Sequence, residues 1–231
     1  MKEELPSLEL WLPDIKKYVF ENAGQCLEDI GFSYLKSDSA YRRTRSRNYE
    51  EFCFVFANQF PVSYRIAFLL QIWNHQIKTA KTGFPLQSKI DNYKLRSLVL
   101  FMNHFPMPGQ ADQEKILDNA FLLVTNKDLF LYTDRMMRIL QEQAIPLADQ
   151  LCELDGIDSF FGDRPGWSVN SLNFNNITSE LAAAKLNAKR NFKEVFQQII
   201  TGIDQKVLQK EMGTDMKENT TKFYEYLKSK Y

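Results

Sequence analysis

Residues 28–75 constrain this chain most: the end of an amphipathic helix, a Gly31-Phe32 stop, then three strand-like runs with few breaks between them. Residues 32–35 and 40–43 read as a first strand, bulged around Ser37-Asp38-Ser39. Residues 51–60 form a second, with Phe52, Phe54, Phe56 and Phe60 alternating onto one face and Cys53, Val55 and Ala57 onto the other. Residues 63–74 form a third, in which Tyr64, Ile66, Phe68, Leu70 and Ile72 share a face while Arg65, Ala67, Leu69, Gln71 and Trp73 make a mixed one. An antiparallel meander with one face buried fits this alternation. Residues 45–49 and 61–62 are connections of hairpin length.

Helices flank the meander. Over residues 14–30, Ile15, Tyr18, Val19, Ala23, Cys26, Leu27 and Ile30 recur at three- and four-residue steps. Pro13 suits that helix's first turn and Gly31 the left-handed residue beyond its end. Residues 97–105 give a fourth strand before a loop at 106–109, and residues 120–124 fit either a fifth strand or part of a helix. Thr125, with Asp128 three positions on, caps a helix striped by Leu129, Thr133, Met136, Met137, Leu140 and Ala144. Pro146 breaks it, and a short helix continues over 147–154. Residues 155–176 hold Gly156, Gly162, Pro165, Gly166 and four asparagines, and read as a loop and boundary. Helices follow over 178–188, 191–212 and 215–230, the middle one ending at Gly213. The expected class is α+β: an antiparallel sheet of four to five strands packed by helices, with a C-terminal helical segment. The expected division is an α+β domain over 1–160, with a loop and helical segment, 161–231, packed on it.

Composition narrows the function. Apolar residues make up 44% of the 231, enough for a substantial core, and 29 basic residues balance 29 acidic ones. A net charge of zero argues against a general polyanion binder, whose affinity comes from neutralising phosphates. Cys26, Cys53 and Cys152 are far apart and lack zinc-ligand spacing, so they read as small hydrophobes in a reducing compartment. The acidic start Met1-Lys2-Glu3-Glu4, with Pro6 and Pro13 interrupting the first apolar residues, does not read as a secretory signal. No stretch has the apolar length of a membrane span. The expected setting is cytoplasmic, with no membrane, no metal and no cofactor.

The runs LEDIGFSYLKSDSAYRR, YEEFCFVFANQF and SYRIAFLLQIWN, with the pattern Leu27-x-x-x-Gly31-Phe32, resemble uncharacterised bacterial domains of unknown function. The helical stretch over residues 136–151, with its Ile-Pro-Leu step, is similar to their late helix. The resemblance spans residues 14–160. It implies an α+β sheet with helices on one side, and no reaction.

Candidate sites are few. Arg42, Arg43, Arg45 and Arg47 lie between Tyr41 and Tyr49, with Arg65 on a neighbouring strand. Arginines beside aromatics bind phosphate and stack on bases, and equally they solvate a hairpin tip. Trp73, on the half-polar strand face, marks either a contact surface or, the favoured reading, a face covered by the C-terminal helices, whose stripe from Phe192 to Leu208 has to be buried. His75 and His104, the only histidines, are the available neutral-pH acid/base groups. Glu153, Asp155, Asp158 and Asp163 form an acidic loop without the spacing of a calcium site. The phosphate-loop, dinucleotide, zinc-protease and nucleophile-elbow signatures are absent. The reading is a non-catalytic module that binds another protein. Its ligand contacts are drawn from Arg42, Arg43, Arg45, Arg65 and Trp73. The alternatives are a nucleic-acid or phosphate binder through the arginine hairpin, and an enzyme with a histidine acid/base.

Overall fold

A computed structural model describes residues 11–59, 63–84, 96–102 and 121–231. Helix α1 (Leu12–Leu27) runs into a 3₁₀ turn over Glu28–Ile30. Gly31, at φ 88°, reverses the chain, and Phe32 N–H donates to Leu27 O at 3.0 Å. That is the left-handed exit expected of a glycine just past a helix.

Two strands then replace the single bulged one expected. β1 (Ser33–Leu35) and β2 (Ala40–Arg45) pair antiparallel, with Ser33 opposite Arg42. Ser37-Asp38-Ser39 belongs to the reversal between them: Asp38 N–H donates to Leu35 O, and Ser39 takes a φ of 49°. Small polar residues suit both a bulge and a tight turn, so local composition does not separate the two. β3 (Asn48–Gln59), β4 (Ser63–Trp73) and β5 (Leu98–Phe101) complete the strand order β1-β2-β3-β4-β5. β6 (Phe121–Leu123), the segment that fitted strand or helix, pairs antiparallel with β4 from Tyr64–Leu123 to Ile66–Phe121. Phe52, Phe54, Ile66, Phe68, Leu70 and Ile72 are buried, as the alternation requires, and Val55 is exposed. The class is α+β. Phe60, the 61–62 connection, residues 103–105 of the fourth strand candidate with His104, and the 106–109 loop lie outside the described residues.

The helices depart further from expectation. α2 (His75–Thr82) follows β4 directly, capped by the Asn74 side chain, which accepts from Gln76 and Ile77 N–H. α3 (Asn126–Ile139) begins with the reciprocal Thr125–Asp128 cap its sequence announces. Pro146 does not break the helix. One π turn over Leu140–Ala144 precedes it and the chain continues as α4 (Ile145–Leu151), the wide turn accommodating a residue without an N–H. Residues 155–176 are not one loop: they hold most of α5 (Leu154–Gly162) and α6 (Trp167–Asn170) and the start of α7. Gly156 marks a close approach instead, since a Cβ there would stand 1.7 Å from Gln150 O. Then come α7 (Phe174–Asn187), α8 (Phe192–Leu208) and α9 (Asp215–Lys230). α8 stops before Gly213, and Lys210 at φ 61° makes the turn.

The chain divides into two compact units: Met1–Arg43, Glu51–Leu70 and Leu100–Leu147 form one, and Thr44–Glu50, Gln71–Val99 and Ala148–Tyr231 the other. In the first, α1 buries Ile15, Val19, Ala23 and Leu27, and its Phe20 ring lies 5.3 Å from that of Phe54. In the second, α7 turns polar groups inward. Asn176 accepts from Val99 N–H and donates to Val99 O, each at 3.2 Å, satisfying β5 as a neighbouring strand would. Lys81 is buried, and its ammonium group faces Arg96 O (2.9 Å), Asn175 O (3.1 Å), Asn175 Oδ1 (2.6 Å) and Ser179 Oγ (3.0 Å).

None of those four acceptors is a carboxylate, and burial holds the Lys81 pKa well below the ordinary lysine value. The unfolded chain therefore binds this proton more tightly than the folded one. Stability from this group rises with pH between the depressed folded pKa and 10.5. Urea unfolding of Lys81→Met at neutral and alkaline pH is expected to show that alkaline gain removed. An unchanged difference between the two pH values would refute it.

Candidate functional site

A concave surface of the first unit lies between α1 and the β1–β2 hairpin. Two neighbouring ridges of α1 and the turn after it form one wall: Lys16, Phe20, Gly24 and Glu28, each four residues apart, and Lys17, Glu21 and Gln25 beside them. Tyr34, Lys36, Ser39 and Tyr41 form the other, around a groove of about 820 Å³. Its base is aromatic. Tyr34 and Tyr41 stand opposite each other in the strand pair, with ring centroids 5.2 Å apart, and the Phe20 ring lies 5.0 Å from that of Tyr34. Tyr41 is buried, whereas Tyr34 is 40% exposed and open to a ligand.

Gly24 sets the depth of the groove. The Tyr41 hydroxyl donates to Phe20 O at 2.8 Å, and a Cβ at position 24 would meet the Tyr41 hydroxyl oxygen at 2.7 Å. Burial, helped by the Glu28 charge, pushes the Tyr41 phenol up to about 12, so it is a fixed donor at neutral pH. The rim carries three lysines and two glutamates. Lys16 Nζ lies 5.5 Å from the Phe56 ring centroid, and Lys17 Nζ lies 3.9 Å from Glu21 Oε1, an exposed pair of little energetic weight.

Arg42, Arg43 and Arg45, three of the arginines singled out in the sequence, are engaged within the fold. Strand alternation sends Arg42 to one face of β2 and Arg43 and Arg45 to the other. Arg42 Nε donates to Glu51 Oε1 at 2.6 Å. Arg43 lies over the Phe32 ring, 4.4 Å from its centroid. Arg45 Nε is 3.2 Å from Glu50 Oε1, and its other end pairs with Asp149. Arg65 sits in β4 opposite Leu122, and Arg47 is exposed in the turn after β2. Trp73 stacks on Tyr49 at 5.0 Å, with Lys78 and Arg96 about its ring at 5.9 and 6.0 Å. Its indole N–H is buried, with no acceptor among the described residues. Much of the Trp73 surface is thus already occupied.

His75 is the first residue of α2 and is exposed. Its backbone N–H donates to Asn48 Oδ1 at 2.9 Å. Two of the four acidic residues expected in a loop instead hold basic side chains: Asp155 pairs with Lys189, and Asp158 with Arg190. Among the described residues no group of three or more His, Cys, Asp or Glu side chains is placed to hold a metal ion, and no helix is long and apolar enough to cross a membrane.

The lysine-rimmed groove was missed in the sequence, although two signals pointed to it. Gly24 inside an amphipathic helix marks a close approach, and the helical phase aligns Lys16 with Phe20 and Lys17 with Glu21. Comparison of the chain with protein-family models, with curated proteins and with solved structures finds no match.

Proposed function

We propose that the chain is a non-catalytic cytoplasmic module that binds another protein through the groove between α1 and the β1–β2 hairpin. The observation that carries this reading is the exposed Tyr34 ring, set on an aromatic base inside a charged rim. An amphipathic aromatic in a concave site, bordered by polar groups, is the composition of a binding hot spot. β1 adds to it: it ends the strand order and has β2 as its strand partner among the described residues. The phosphate reading is weaker, because Arg42 and Arg45 would have to leave Glu51, Glu50 and Asp149 to meet a phosphate.

Photo-crosslinking tests the proposal. With p-benzoylphenylalanine in place of Tyr34, irradiation in native cell extract is expected to give one defined protein adduct. The same group in place of exposed Lys228 on α9 is expected to give none. Identical adducts at both positions, or none at position 34, would overturn the assignment.

A further inference from the structure

We infer that the groove takes an extended acidic segment of the partner protein, its carboxylates at the Lys16, Lys17 and Lys36 end and an apolar side chain over Phe20 and Tyr34. This deepens the protein-binding reading and rests on it.

The α1 wall from Lys16 to Glu28 is roughly 18 Å long at helical rise, the span of about five extended residues. β1 runs back along α1: Phe32 is bonded to Leu27, and the Tyr34 ring lies against Phe20. Lys36, two residues further, therefore lies toward Lys16 and Lys17 and away from Glu28. The charge is lopsided, with three ammonium groups facing one carboxylate, Glu21, at one end and Glu28 at the other. A nucleic acid, charged at every step, would press a phosphate against Glu28. A protein segment can be acidic over three residues and neutral or basic thereafter, with an apolar side chain for the middle. The lysine stems add apolar cover while their ammonium groups reach the carboxylates. These contacts are exposed, so binding is expected to weaken as salt rises.

The probe is an array of acetylated hexapeptides with Glu or Asp at the first three positions, Phe, Tyr or Leu at the fourth and varied residues after. A second array has Lys or Arg at the first three positions, and oligothymidylate serves as the nucleic-acid probe. The intact chain is expected to bind acidic members. The triple variant Lys16→Glu, Lys17→Glu, Lys36→Glu, confirmed folded by circular dichroism, is expected to bind them roughly tenfold more weakly or worse and to take up basic members instead. No acidic peptide bound by the native chain, unchanged binding by the triple variant, or tighter binding of oligothymidylate that the triple variant loses would each overturn the inference. Crosslinking at position 34 in the triple background separates the two levels. An adduct kept at full yield leaves the protein-binding reading standing and removes the acidic partner. No adduct even in the native background removes the reading itself.

Discussion

Arg190→Met is expected to lower folding stability by about 3–5 kcal/mol, measured by urea unfolding at neutral pH. Arg190 Nε is 2.7 Å from Asp158 Oδ1 and Nη1 is 3.0 Å from Glu180 Oε1, and both carboxylates are almost wholly buried. Methionine fills similar space and supplies no charge, which strands two anions away from water. Ser168 O–H donates to Glu180 and Asn187 Nδ2 donates to Asp158, but neither brings a positive charge. The loss is expected to depend on pH. Burial raises the Glu180 pKa above 4.5 even with Arg190 present, and removing the guanidinium raises it further. An acid with a raised folded pKa holds its proton more tightly when folded. Stability therefore grows as pH falls from that raised value toward 4.5. Acidification should return part of what Arg190→Met removes, and so should adding Glu180→Gln. A loss under about 1 kcal/mol, the scale of a surface pair, or one equal at pH 7 and pH 5, would mean that this cluster is solvated.

Gly156→Ala is expected to cost about 3 kcal/mol, at the top of the overpacking range. The added Cβ would fall 1.7 Å from Gln150 O and 2.8 Å from its carbonyl carbon. Both are main-chain atoms at the α4–α5 corner, so relief requires the corner to open. Calorimetry should show a fall in Tm of roughly 6–12 °C for a chain of this size. Gly162→Ala is the control. Its Cβ would meet Arg190 Cδ at 3.3 Å, a methylene that has to shift by only a few tenths of an ångström, and its loss should be much smaller. Equal effects at the two positions would refute the backbone-clash explanation.

These two sites show where sequence reading worked and where it stopped. Alternation at Phe52, Phe54, Ile66, Phe68 and Leu70 exposed the sheet because their side chains recur with a period of two, although Leu69 and Gln71 on the opposite face of β4, expected to be half-polar, are buried as well. The Thr125–Asp128 cap and the Gly31 exit were legible because each is a local rule satisfied within four residues. From the sequence Gly156 reads as loop because glycine permits a turn and a close approach equally, and only the Gln150 carbonyl distinguishes them. α5 and α6 were hidden for the same reason. α2 escaped because Ile77 and Ala80 are too few to show a period. The arginines cluster in sequence, yet the charges of Arg42 and Arg45 are met by Glu51, Glu50 and Asp149, partners that only the fold identifies. The groove combines two segments, residues 16–28 and 34–41, and a site shared between segments leaves no contiguous motif.

Beyond Pro13 in the first turn, Gly24 is the residue of α1 least inclined to remain helical, and it lies beside the Phe20 carbonyl that Tyr41 has claimed. The wall of the groove is therefore compliant at its midpoint. A slight bend of α1 there would spread the mouth at the expense of one hydrogen bond, about 1 kcal/mol, while Ile15 and Leu27 anchor the ends. One cleft could then accept guests of unequal bulk, and selectivity would rest on where their charges fall more than on their size.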